Sequence, residues 1–163
     1  VKLFRRSKKL RPRVALKGRV KLEVFGPDGR LKQVREVHNM VVNAGLDWLK
    51  ELAFDSVTPT ALLYATHIAI GTGAVPEAAG DVALGAEVAR RAFDNYVAGG
   101  VGVCTVDTTF PAAGGYEPAA ITEVGILDAA VAGNLWNRAT FAAVNKTAVD
   151  TLKVTVTMTF AEA

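Results

Sequence analysis

The 163 residues suffice for one ordinary domain, and at that length a single core can remove roughly 70% of the unfolded chain's surface from water without a covalent staple. The 27 Ala, 22 Val and 14 Thr favour an interior of small and β-branched groups, and the single Cys104 excludes an intrachain disulfide and any multi-cysteine metal cage. The net charge of +3 conceals two opposed parts: residues 1–35 carry +11 and residues 36–163 carry −8, a basic arm on an acidic body suited to an acidic partner, another copy of the body or nucleic acid.

No apolar stretch approaches the ~20 residues of a membrane span, and no apolar signal-peptide core follows the basic start. The chain reads as soluble, with no membrane partner. Residues 1–18 place eight cations among isolated apolar residues, with Pro12 between them; repulsion and the proline predict an extended basic arm. Val14, Leu16, Val20, Leu22 and Val24 keep a period of two, resetting at Lys17 to Arg19, and predict a strand. Gly26-Pro27-Asp28-Gly29 is a turn signal, so residues 19–42 read as a β-hairpin, with a bulge expected between Val34 and Val37. The β-rich body follows from residue 43 to 163.

Asn43, as an N-cap before Leu46, Trp48, Leu49, Leu52 and Ala53, predicts the one helix, over about 44–54. Asp55 to Thr60 reads as a loop. His67 to Ile70 reads as a short buried strand, Ala74 to Gly85 as a long surface connection, and Ala86 to Val97 as strand on the alternation of Val88, Arg90, Ala92, Asp94 and Tyr96. Val101 to Phe110, Ile121 to Leu127, Leu135 to Phe141 and Thr151 to Phe160 complete the pattern. In the last of these an apolar face alternates with a row including Thr151, Thr155, Thr157 and Thr159. The general expectation is a solvated sheet face; the sharper one is a subunit interface. The fold class is therefore mainly β, an antiparallel β-sandwich or barrel with one short helix plugging an end and an extended basic N-terminal arm.

No catalytic, cofactor-binding or metal-binding residues emerge, and the chain is read as a non-enzyme. Gly71-Thr72-Gly73 lacks the third glycine or the Gly-Lys-Ser/Thr ending of a phosphate loop and reads as a plain turn; His38 and His67 have no ligand-spaced partner; neither serine sits in Gly-x-Ser-x-Gly; Cys104 reads as a small buried hydrophobe; Glu87, Glu123 and Asp128 are scattered. Nucleic-acid binding by the arm is the weaker reading, since the arm has one aromatic, Phe4, and the acidic body repels a polyanion.

Three stretches taken together resemble a family of small structural proteins of tailed bacteriophage virions. They are Asn43-Ala44-Gly45-Leu46-Asp47-Trp48-Leu49; His67 to Gly73 with Ala83 to Arg90; and Ile121 to Asp128 leading through Arg138-Ala139-Thr140-Phe141 to the last strand. The resemblance spans about residues 37–160 in order and omits the arm and first hairpin. It implies a virion protein, labelled in that family either as a tail-fibre or tail component or, in similar β-rich proteins, as a head cement trimer. With no repeat, coiled-coil heptads or second domain to build a shaft, the sequence favours a head decoration protein on the capsid surface, self-associated as a homotrimer and bridging the major capsid protein. A small tail, tail-fibre or tail-tip component is the alternative. On this reading the partner-binding arm is Leu3, Phe4, Arg5, Arg6, Leu10, Arg11, Arg13, Val14 and Leu16, and the subunit-interface candidates are Thr151, Thr155, Thr157 and Thr159.

Overall fold

A computed structural model describes residues 14–54, 64–112 and 119–162. Among them run nine strands and one helix: β1 (Val14–Phe25), β2 (Leu31–Val41), α1 (Asn43–Phe54), β3 (His67–Gly71), β4 (Glu87–Ala92), β5 (Asn95–Ala98), β6 (Val103–Phe110), β7 (Ala119–Leu127), β8 (Leu135–Lys146) and β9 (Thr151–Glu162). They form one sheet in the order β4-β3-β7-β8-β2-β1-β9-β6-β5, with every neighbouring pair antiparallel. The mainly β, antiparallel expectation holds, and its architecture is a curled half-barrel.

The curl follows from the strand order. β4 and β5 lie on opposite edges of the sheet yet are separated in the chain by Phe93 and Asp94 alone. Two residues reach from edge to edge only where the sheet has rolled so that its edges meet. There the edges are joined by Asp94 N–H to Asp107 O at 2.8 Å, Thr109 N–H to Asp94 Oδ2 at 2.6 Å, Thr108 Oγ1 to Ala92 O at 3.1 Å and Arg91 Nη1 to Thr109 O. On the far side the sheet nearly divides. β2 and β8 pair only through Met40 with Arg138 and Val41 with Asn137, and further along the side chain of Gln33 bridges to the backbone of Ala143 and Asn145.

The inward face is written in the period-two residues. Register sets Val20 beside Val156, Leu22 beside Val154 and Val24 beside Leu152, with Val106 and Phe110 on the next strand; these face Ile68, Ile70, Val124, Ile126 and Ala139 across the interior. At ~25 cal/mol per Å² of apolar surface, this shared interior is the main stabilising term. The 26–29 turn forms as its residues predict: Gly29 has φ 76°, its N–H donates to Gly26 O at 2.9 Å, and Asp28 Oδ1 accepts from Arg30 N–H at 3.1 Å.

Several boundaries differ from the sequence expectation. The irregularity in the first hairpin lies at Val24/Phe25, not between Val34 and Val37, because the slip is absorbed next to the turn. The predicted strand 86–97 breaks at Phe93–Asp94, where it must change edges. β1 begins at Val14, so residues 14–18, assigned to the arm, lie in the sheet, with Val14 opposite Glu162 and Leu16 opposite Phe160. In α1, Leu46 N–H donates to Val42 O at 3.1 Å, while the N–H of Asn43 is held by Ala79 O at 2.8 Å; helical hydrogen bonding starts one residue earlier than an Asn43 cap predicts. No described helix is long and apolar enough to cross a membrane.

Candidate interaction surfaces

A carboxylate organises one half of the barrel. Glu123, on β7, has no exposed surface, yet it accepts hydrogen bonds from the backbone N–H groups of Gly73 (2.9 Å), Gly85 (2.9 Å) and Ala86 (2.7 Å) and from Arg138 Nε on β8 (2.9 Å). Arg138, itself 3% exposed, continues to Asp81 Oδ2 at 2.8 Å and Val75 O at 3.1 Å. Burial pushes the Glu123 carboxyl up, but the amides of Ala86, Gly85 and Gly73 together with Arg138 outweigh it and hold the group below the usual carboxylate range. Burial likewise works against the Arg138 charge, and Asp81 and Glu123 overcome it. The Asp81 carboxyl is lowered by the Ala78 amide and then by Arg138.

This node clamps the long connection 72–86, which has no regular structure of its own, onto the sheet. A Cβ at Gly71 or Gly73 would strike the Glu123 carboxylate, so glycine is required for the close approach. Of Gly71-Thr72-Gly73, Gly73 alone gives its N–H to the Glu123 carboxylate, joining the amides of Gly85 and Ala86, while Thr72 N–H donates to Ala86 O at 2.8 Å. Sequence reading missed the node because the residues lie 37 to 50 positions from Glu123. The available signal was the one charged residue of β7, Glu123, and the one arginine of β8, Arg138, each in a strand rich in apolar residues.

The second feature is a cavity of about 700 Å³ at the end of the half-barrel that α1 covers. Trp48 of α1 meets Trp136 of β8 with ring centroids 3.8 Å apart, and a Cβ at Gly45 would strike the Trp136 carbonyl, so the glycine lets the helix lie close to the strand. Opposite, Cys104, Val156 and Met158 form the sheet wall, and Tyr64, Tyr96 and Phe160 stand exposed at the rim. Cys104 lies opposite Met158 in register, and burial raises its thiol pKa, as befits a hydrophobe and not a nucleophile.

Of the arm residues, Leu3, Phe4, Arg5, Arg6, Leu10, Arg11 and Arg13 lie outside the described residues; Leu16 lies at the cavity. The threonine row is half-buried on the outer face between β1 and β6. Thr157 meets Arg19 and Thr105 in register, Thr155 meets Lys21 and Asp107, and Thr105 and Thr157 share a hydroxyl hydrogen bond of 3.1 Å. His67 Nδ1 lies 2.7 Å from Thr66 Oγ1, and burial and then Arg90 depress its pKa; His38 is exposed on β2. Among the described residues no group of three or more His, Cys, Asp or Glu could hold a metal ion.

Every stretch behind the phage resemblance falls on one of these two features: Asn43 to Leu49 on the cavity, and 67–73, 83–90, 121–128 and 138–141 on or beside the Glu123 node. A family model described as Podophage GP4 fiber I protein gp80 matches residues 36–159. The chain belongs to that family. No curated protein and no solved structure matches it. Membership in the gp80 fiber family places the chain among the structural proteins of phage virions. The matched range includes α1 and the node, begins within β2, and excludes the basic arm and β1, although β1 is a central strand of the sheet.

Proposed function

We propose that this chain is a small non-enzymatic structural subunit of the phage tail-fibre assembly, with residues 1–13 as its attachment arm. The observation that carries the tail placement is the family match to a fibre protein over residues 36–159. The half-barrel serves as a rigid body: its loop 72–86 is pinned by the buried Glu123–Arg138 pair, and its edges are joined at Phe93–Asp94. The basic arm then engages an acidic face of a neighbouring virion protein, with Arg5, Arg6, Arg11 and Arg13 on carboxylates and Leu3, Phe4 and Leu10 in apolar grooves. The threonine face of β9 is the candidate contact between copies. A threefold arrangement comes from the family resemblance.

The competing placement is head decoration, bridging major capsid subunits. Gold labelling of purified virions, paired with images of particles lacking the protein, separates the two. Label and lost density at the tail support the fibre reading; label spread over the head lattice replaces it with decoration.

A further inference from the structure

Where β1 starts, β2 ends and α1 begins, the surface holds a groove of about 520 Å³ lined mainly by Leu16, Val41, Met40, Leu46, His38 and Glu77. Leu46 is 49% exposed and Met40 37%, so the floor leaves apolar surface in water. Glu77 is the one acidic residue among the described residues lining it. Its Oε2 accepts the Thr140 hydroxyl, and no cation of the described residues pairs with it. Such a surface suits a segment that sets an apolar residue next to a cation.

The chain itself carries one. Residues 1–13 hold seven cations and no acid, while residues 14–163 hold 12 cations and 16 acids, so a +7 arm accompanies a body of −4. Within the arm, Leu3-Phe4 runs directly into Arg5-Arg6, an apolar pair beside a cationic one. Length decides whose groove is filled. β1 brings the chain to Val14, two residues from Leu16, so the arm sets out from beside the groove of its own body. Phe4 stands ten residues before Val14, up to about 33 Å of extended chain. Reaching its own groove would fold the arm back over that distance and crowd its cations together. Thirteen extended residues, about 45 Å, instead match the roughly 40 Å width expected of a body this size and reach the same groove on an adjacent copy.

We propose that residues 3–6 of one copy occupy this groove on a second copy, with Phe4 on Met40 and Leu46 and the Arg5-Arg6 pair facing Glu77. The proposal rests on the attachment role given above to residues 1–13 and deepens it: the neighbouring protein is another copy of the chain.

Sedimentation velocity of the full chain over a concentration series is expected to show self-association. Phe4→Ser and Leu46→Asp should each weaken it about tenfold or more, and Glu77→Gln by less, up to about fivefold. Met40→Glu repeats the groove test should Leu46→Asp not fold. The two variants are then mixed. The intact arm of the Leu46→Asp chain meets the intact groove of the Phe4→Ser chain, and a 1:1 dimer should return. A full chain that is monomeric at every concentration, association untouched by either groove variant, or no dimer on mixing overturns the proposal. A monomeric chain whose gold label stays at the tail would remove the arm exchange and leave the fibre placement standing.

Discussion

The backbone N–H of Gly73 donates to Oε1 of Glu123 at 2.9 Å, fifty residues away in sequence, and with Gly85 and Ala86 it makes a three-amide seat for a carboxylate that Arg138 neutralises. Removing the Glu123 charge leaves Arg138 with Asp81 and takes the anionic acceptor from the buried amides, and a buried donor stripped of its partner costs about 1–3 kcal/mol. Glu123→Gln should therefore lower unfolding stability by that order in denaturant titration and release loop 72–86 to proteolysis. Gly73→Ala should act in the same direction with every charge retained, because its Cβ meets the carboxylate. A Glu123→Gln protein with unchanged denaturation midpoint would show the node to be dispensable.

Asp150 sets an acid limit. It is fully buried, accepts from Lys32 Nζ at 2.9 Å, Thr147 N–H at 3.0 Å and Thr147 Oγ1 at 2.6 Å, and its pKa is lowered from 3.8 to about 2. A carboxyl whose pKa falls on folding contributes stability that is complete above its unfolded value and is lost as pH drops through the folded one. The contribution should be present at pH 5 and above and disappear between about pH 4 and 2, and solvent around the half-exposed Lys32 moderates its size. Asp150→Asn should flatten that part of the stability curve, measured by thermal melts at stepped pH.

The Gly45 contact decides whether α1 closes the barrel end. Gly45→Ala should push the helix off Trp136, destabilising the fold by about 1–3 kcal/mol and shifting tryptophan emission to longer wavelength. Unchanged emission would mean that the helix tolerates the extra methyl where it lies.

For the arm, the fold fixes where a clean truncation ends. Deleting residues 1–13 spares β1 and should leave a folded body that no longer joins the virion, whereas deletion through residue 18 removes five of the twelve rungs between β1 and β9, Val14 to Gly18, and should destabilise the body itself. Exposed ion pairs contribute only ~0–1 kcal/mol each, so reversing Arg5, Arg6, Arg11 and Arg13 should weaken attachment less than replacing Leu3, Phe4 and Leu10 by serine. Undiminished incorporation of the 14–163 body would exclude the arm as anchor; tight, steeply salt-dependent binding of the arm to nucleic acid in place of the virion would favour the nucleic-acid reading.

What the sequence displayed and what it hid follow from range. β9 was legible because Leu152, Val154, Val156 and threonine alternate within ten residues, and the 26–29 turn because Pro27, Asp28 and Gly29 act on their own backbone. The break at Phe93–Asp94 was not, since nothing local distinguishes a strand that continues from one that changes edges. Nor was the Glu123 node, whose donors are backbone amides and leave no mark in side-chain chemistry beyond the small residues that carry them. The cavity was hidden for a similar reason: Trp48, Trp136 and Asn137 each look ordinary until α1 and β8 meet.

The strand order also governs when the molecule can come into being. β9 lies between β1 and β6, so the first and last of the described strands are neighbours within the sheet, and β1 has no partner on its side away from β2 until residues 151–162 are available. A nascent chain missing those residues holds two incomplete sheet fragments with unpaired edges, the state most exposed to mispairing with other copies. The greatest aggregation hazard during synthesis therefore precedes the release of β9, and a truncation before residue 151 would part β1 from β6.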